Sequence, residues 1–479
     1  MVAAYLAIAL LVPLVPLLTA WRYAFAPGGG PLLLVSFALF LGVPMKVAYT
    51  YLFASDLSAP WFQRPDSALE YALVYILLFM VLVSVGYALG MRREERFDAR
   101  PVLRAQAIGP QATLVLLVVS VAMFAIVLVL LQSRKHGFSD LTDLLTFEKI
   151  ADLNRSKLDM ISRVEGFGKS YAFIFAFLGV IWFSFIVIVC SSLSDNRTRS
   201  HVAAVLILLA LVLFESLIRG KRLSLINILL FFVIACYIVR GHISTKMWAG
   251  LAITFPVMFG VFTAMSVFRH FGADSGGIGL QQAADIAFMH VFRSTYFTDI
   301  NNLATIMWRM EDHELLMGES FTRLVTSFIP REFWPDKPAI SVGIFVRTEI
   351  YGVGRALGGI NTPLPTEAYL NFGWGGVFVG VVYGFALRRF EVWCLSVRNV
   401  ERYGSAWLYI FVVLPVTWVM MQSSFALAMT GAIVATVMAL AIGIPAAMSA
   451  RRREQLRGAA AMGPAQIGRG GDGITTPAE

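Results

Sequence analysis

The chain has 479 residues, 58% hydrophobic and 14% charged, with a net charge of +9. A soluble protein is nearer half apolar and a quarter charged, so composition excludes a string of soluble domains and predicts one polytopic membrane protein. The positive charge sits in short clusters between apolar runs, where it orients helices, and so does not indicate a nucleic-acid partner.

A helix needs about 20 apolar residues to cross a bilayer core of roughly 30 Å. Such runs occur near 2–21, 31–53, 70–91, 112–132, 171–192, 202–218, 223–240, 247–267, 373–388, 405–424 and 429–450. The expectation is an all-α integral membrane protein of about eleven transmembrane helices with one long extracytoplasmic loop. The first run lacks a basic leader and a cleavage site and reads as a retained helix. Lys46 lies inside the second run, where its stem could snorkel to the interface.

Lys and Arg in short loops set orientation. Arg92, Arg93, Arg96, Arg100 and Arg104 follow the third run; Arg388, Arg389, Arg398 and Arg402 follow the ninth; Arg451-Arg-Arg453 follows the last. Alternating spans put these on one side, taken as cytoplasmic. The expected divisions are a bundle over 1–266, an extracytoplasmic loop over 267–372 carrying the active site, helices over 373–450 and a disordered cytoplasmic tail over 451–479. Cys190, Cys236 and Cys394 fall in or beside apolar runs, which predicts neither a disulfide framework nor a Cys-based metal site.

Arg219-Gly-Lys-Arg222 is a short outward hairpin with three cations. Arg219 and Arg222 could clamp a diphosphate, because guanidinium donates paired hydrogen bonds to phosphate oxygens. The competing reading is headgroup contact, with Glu215 one turn before Arg219 neutralising it.

In the long loop, 281–297 reads as an amphipathic helix with His290 and Arg293 one turn apart on one face. Phe328-Ile-Pro-Arg-Glu-Phe-Trp-Pro-Asp-Lys-Pro338 cannot be regular helix. Its stiff backbone positions Arg331, Trp334 and Lys337 as a candidate site for an anionic sugar diphosphate; the alternative is a proline-rich surface turn. Thr366-Glu-Ala-Tyr-Leu-Asn-Phe-Gly373 leads into the ninth run. Glu367 there could take a proton from a sugar hydroxyl, or simply occupy the first turn of a helix. Tyr369, Asn371 and Asp299, with Asn301 and Asn302, are further polar candidates. No HExxH, P-loop, GxSxG or paired metal-ligand spacing is present.

The order of Ser216 to Arg222 after a span, a long outward loop, Ile329-Pro-Arg331, Trp334-Pro335, Lys337-Pro338, Glu367 to Gly373 and a Gly-rich span resembles the Wzy-type oligosaccharide repeat-unit polymerases of bacterial envelopes. The resemblance is sharpest over about 317–376. It departs at the hairpin, where two arginines flank Lys221 rather than one standing beside a small polar residue and glycine.

The resemblance implies a GT-C-like architecture and a metal-independent, cofactor-free, inverting glycosyltransferase of the bacterial inner membrane. Its substrates would be undecaprenyl-diphosphate-linked oligosaccharides, and a chain-length regulator and a flippase of the same pathway would be its partners. Glu367 would be the base, with His290 second choice; Arg331 would act with it; Arg219, Arg222, Lys337 and Arg293 would bind diphosphate. Trp334, Tyr369, Asn371 and Asp299 would bind sugar. Three other readings compete, one of them a non-catalytic assembly or scaffold protein of the same envelope pathway. An O-antigen ligase shares the leaving group and differs in acceptor. A lipid-linked oligosaccharide flippase would show internal repeats, charged spans and short outer loops, which this chain lacks.

Overall fold

The structure, a computed structural model, describes residues 2–24, 30–53, 59–90, 108–133, 168–193, 199–219, 297–327, 341–353 and 359–461, with single positions in 230–295 and 329–338. Among these residues every regular element is helical. Six helices are long and apolar enough to cross a membrane, or seven if one bent pair counts as a span. They are Val2–Arg22, Gly30–Leu52, Asp66–Leu89, Arg199–Ser216, Leu364–Leu395 and Phe425–Ser449. Helices Pro110–Ser133 and Gly168–Ser192 match two further apolar runs. The runs near 223–240 and 247–267 lie mostly outside the described residues, so the count of eleven does too.

Helices Asp66–Leu89 and Val379–Leu395 run side by side in the same direction, with Tyr75 beside Gly376, Phe79 beside Gly380 and Val83 beside Gly384. Two helix backbones approach this closely only where side chains are missing. A methyl group on Gly384 would overlap the Val83 carbonyl, and one on Gly86 the Val381 carbonyl. Helix Val397–Tyr403 then bends by 97° into Ala406–Met420. A polar break at 421–424 follows before the long helix Phe425–Ala461.

Three expectations change. The ninth span begins at Leu364, ahead of the apolar run at 373–388, so Thr366 to Gly373 belong to the span rather than to its approach. The last helix continues through Arg451-Arg-Arg453 to Ala461, so the expected disordered tail begins as helix. Arg388 is not a solvated orienting charge: it is 4% exposed and its Nη1 lies 3.0 Å from Glu391 Oε2. Tyr87 donates to the same Glu391 oxygen and Tyr409 to the other at 3.2 Å, tying three helices together at that end of the bundle.

At the opposite end, helix Glu319–Ser327 lies along the start of Phe425–Ala461, with Phe321 and Phe425 rings 5.3 Å apart and Ser327 Oγ 3.4 Å from Thr430 Oγ1. Gln455 is roughly 45 Å further along that helix at 1.5 Å per residue. A cysteine at Met317, which is 76% exposed, is therefore expected to react with an impermeant maleimide added outside, and one at Gln455 only after permeabilisation. Labelling of both from one side would overturn this arrangement.

Candidate functional site

Among the described residues of the expected long loop, Asp299, Asn301, Asn302 and Glu367 are buried inside the helical bundle. Asp299 precedes helix Ile300–Arg309 and accepts from the backbone N–H groups of Asn301 at 2.9 Å and Asn302 at 3.4 Å. This is an N-cap, which satisfies donors that a helix start leaves open. Its other oxygen lies 3.2 Å from Lys46 Nζ, and both side chains are 1% exposed.

Lys46 also donates to the Phe292 carbonyl at 2.9 Å. It therefore does not snorkel, because a carboxylate reaches it inside the fold and a buried charge needs a partner. Burial pushes the Asp299 carboxyl above its ordinary value, against the pull of Lys46 and the two N–H groups. Around this pair, Arg64 donates to Asn301 Oδ1 at 2.7 Å, Asn301 to Thr50 at 3.0 Å, and Asn302 to the Asn361 carbonyl at 2.9 Å. Tyr351 donates to Asn302 Oδ1 at 2.8 Å, and burial raises its hydroxyl well above the usual range. The 299–302 segment thus acts as a polar knot joining residues distant in sequence.

Glu367 stands elsewhere. Pro363 and Pro365 flank the start of helix Leu364–Phe372, where a missing N–H costs nothing. Gly373, at φ +58°, ends it in a backbone conformation that favours glycine. Glu367 is completely buried in the first turn. Its Oε2 accepts from the backbone N–H of Phe425 at 2.6 Å, and so caps the long helix Phe425–Ala461 from outside. Its Oε1 has no hydrogen bond of ordinary geometry among the described residues, although the Ser320 hydroxyl is close enough to interact with the carboxylate.

Asn371, one turn on, locks this arrangement. Its Oδ1 accepts from the backbone of Gly318 at 3.0 Å and Ser320 at 3.4 Å; its Nδ2 donates to Ser320 Oγ at 2.6 Å and the Glu367 carbonyl at 2.7 Å. Ser320 is left with its own hydrogen to direct elsewhere. Arg323, one turn after Ser320 and also buried, pairs with Glu319 at 3.0 Å.

The neighbourhood has an excess of unpaired polar atoms. Among the described residues, Thr362 Oγ1, Thr366 Oγ1, Gln422 Nε2 and Ser424 Oγ are buried without a hydrogen-bond partner, and Glu367 Oε1 has only the Ser320 hydroxyl nearby. Each such atom costs about 1–3 kcal/mol, so a group of them calls for water or a ligand. They lie on two segments that meet at the bond between Glu367 and Phe425. An apolar cavity of about 530 Å³ opens beside them, lined by Leu364, Phe321, Phe425, Tyr383 and Phe390 among others. Leu364, one turn before Glu367, and Phe425, whose backbone Glu367 caps, line this cavity, while the Glu367 carboxylate itself is fully buried behind them.

Tyr369 does not join Glu367. Two residues along a helix is about 200° of rotation, and Tyr369 instead sets its ring edge-on to Tyr75 at 5.3 Å. Trp334 is 40% exposed. Arg331, Lys337, His290, Arg293 and Arg222 lie outside the described residues, as does the side chain of Arg219, which ends helix Arg199–Arg219. Glu215, assigned in sequence as a neighbour for Arg219, accepts from the Trp182 indole at 3.1 Å.

Ser320, Arg323, Gln422 and Ser424 did not stand out in sequence. The signal for the last two was legible: Gln422-Ser-Ser424 interrupts an apolar stretch that otherwise reads as continuous span.

No protein-family model, curated protein or solved structure matches the chain. Its composition and the elements of its described residues, all of them helical, define a class: a helical, multi-pass membrane protein.

Proposed function

We propose that the chain is a polysaccharide polymerase acting at the outer face of the bacterial inner membrane. It transfers a growing glycan from undecaprenyl diphosphate to the next lipid-linked repeat unit. The observation that carries this reading is Glu367: a fully buried carboxylate within the membrane bundle that caps Phe425, with Leu364 and Phe425 beside it lining an apolar cavity. It lies within the Glu367 to Gly373 motif on which the family resemblance rests.

In the reaction, the acceptor hydroxyl oxygen attacks the anomeric carbon, which inverts. Glu367 takes the hydroxyl proton. The bond from that carbon to the diphosphate oxygen breaks, and its electron pair leaves with the diphosphate. Arg331, with Arg219, Arg222, Lys337 and Arg293, would stabilise that developing charge. The carrier tail would occupy the cavity lined by Leu364 and Phe390.

The test is a strain lacking the protein, with its surface glycan separated by size. Single repeat units on the surface are expected. Full-length polymer accumulating on the carrier would instead identify a ligase, and repeat units held on the cytoplasmic side a flippase.

A further inference from the structure

On the face of Leu364–Phe372 away from Glu367, Tyr369 lines a second cleft, of about 230 Å³. Its walls include Ser67 and Tyr71 at the start of Asp66–Leu89, Trp308, Glu311 just beyond Ile300–Arg309, and Trp374. Tyr71 is 59% exposed, Trp374 45% and Trp308 40%, so each offers ring surface to whatever enters. Among the described residues no hydrogen bond or ion pair holds the Glu311 carboxylate. We infer that this cleft is a saccharide subsite that holds a non-reacting sugar of the glycan, apart from the centre at Glu367.

The chemistry selects a sugar. A pyranose has an apolar C–H face, which lies on an aromatic ring, and a rim of hydroxyls, which a carboxylate, a phenol and indole N–H groups engage. The volume is below the ~300–1,000 Å³ of a drug-sized site and suits one ring.

A quaternary ammonium headgroup fits less well. A cation cage needs several ring faces turned toward one point, whereas a pyranose needs only one. Here Trp374 meets Tyr71 edge to face at 6.5 Å and Tyr75 at 5.7 Å, and the Arg309 guanidinium already stands 6.0 Å from the Trp308 ring. An interfacial aromatic belt explains exposed Trp and Tyr, but needs neither a concavity nor an unpaired carboxylate within it.

The inference rests on the glycan-transfer reading for its natural ligand, and its test fails separately. Purified full-length protein in nanodiscs is applied to a printed array of neutral and amino-sugar oligosaccharides, and choline chloride is titrated against its tryptophan fluorescence. Saturable binding to printed glycans is expected. It should fall at least tenfold in Glu311→Gln, an exposed and conservative change, and in Trp308→Ala, and persist in Glu367→Gln. No glycan binding, binding unaffected by both cleft variants, or a choline response that Glu311→Gln removes would each overturn the subsite. None of these bears on whether Glu367→Gln stops elongation, which tests the transfer itself.

Discussion

Glu367→Gln is expected to stop chain elongation while leaving the protein folded and inserted. The carboxamide keeps an oxygen to accept the Phe425 N–H, now 2.6 Å from Glu367 Oε2, so the cap on the long helix survives. What is lost is the ability to accept a proton, and general-base catalysis contributes ~10²–10⁴-fold in rate. Glu367→Ala removes both functions. It should show the same loss of elongation together with ~1–2 kcal/mol of lost stability from the missing cap. The pair separates the two roles of one carboxylate. Glycan length in cells expressing each variant reports the chemistry, and thermal unfolding in detergent reports the cap. Normal long-chain glycan from the Gln variant would leave Glu367 a structural cap alone, and the proposed mechanism would fall.

Lys46→Met should destabilise the fold by ~3–5 kcal/mol, because it leaves the Asp299 carboxylate buried without its cation. The size follows from burial, both side chains being 1% exposed. Lys46→Met combined with Asp299→Asn should recover most of that loss, since Asn also caps helices well and carries no charge.

The deficit in the single variant should depend on pH. Burial already raises the Asp299 carboxyl, and Lys46 is the strongest pull in the other direction. Without Lys46, the folded state holds its proton to higher pH, while the unfolded chain releases it at the ordinary value. Above that value the unfolded state binds fewer protons than the folded one, so stability falls as pH rises. The deficit is therefore smallest near pH 4 and widens toward neutrality. Thermal unfolding of wild type, single and double variants across that range checks both points. A single variant as stable as wild type, or a deficit independent of pH, would show that the pair does not hold the knot together.

The contrast between Lys46 and Glu367 shows what could be read in advance. Both were visible as charges in or beside apolar runs. For Lys46, local sequence offered only the interface; its partner is 253 positions away, and no periodicity reports such a pairing. For Glu367, the type of residue and its place at a helix start were legible, but its second helix was not. That Phe425 would present its N–H there depends on how Phe425–Ala461 docks. Tyr369 marks a further limit. It shares a motif with Glu367, yet rotation along the helix sends it to another cleft, shared with Trp308 and Trp374.

Sequence alone determined that the chain is helical and crosses a membrane, because hydrocarbon thickness demands apolar runs of a set length. It also marked where polar residues gather between those runs. Only the tertiary structure decided which of them face one another. Lys46 with Asp299, Glu367 with Phe425 and Tyr71 with Trp374 meet through packing between helices far apart in the chain. The physical reason is one of range: backbone hydrogen bonding and hydropathy act locally, whereas burying a charge or shaping a cavity requires surfaces from several helices at once.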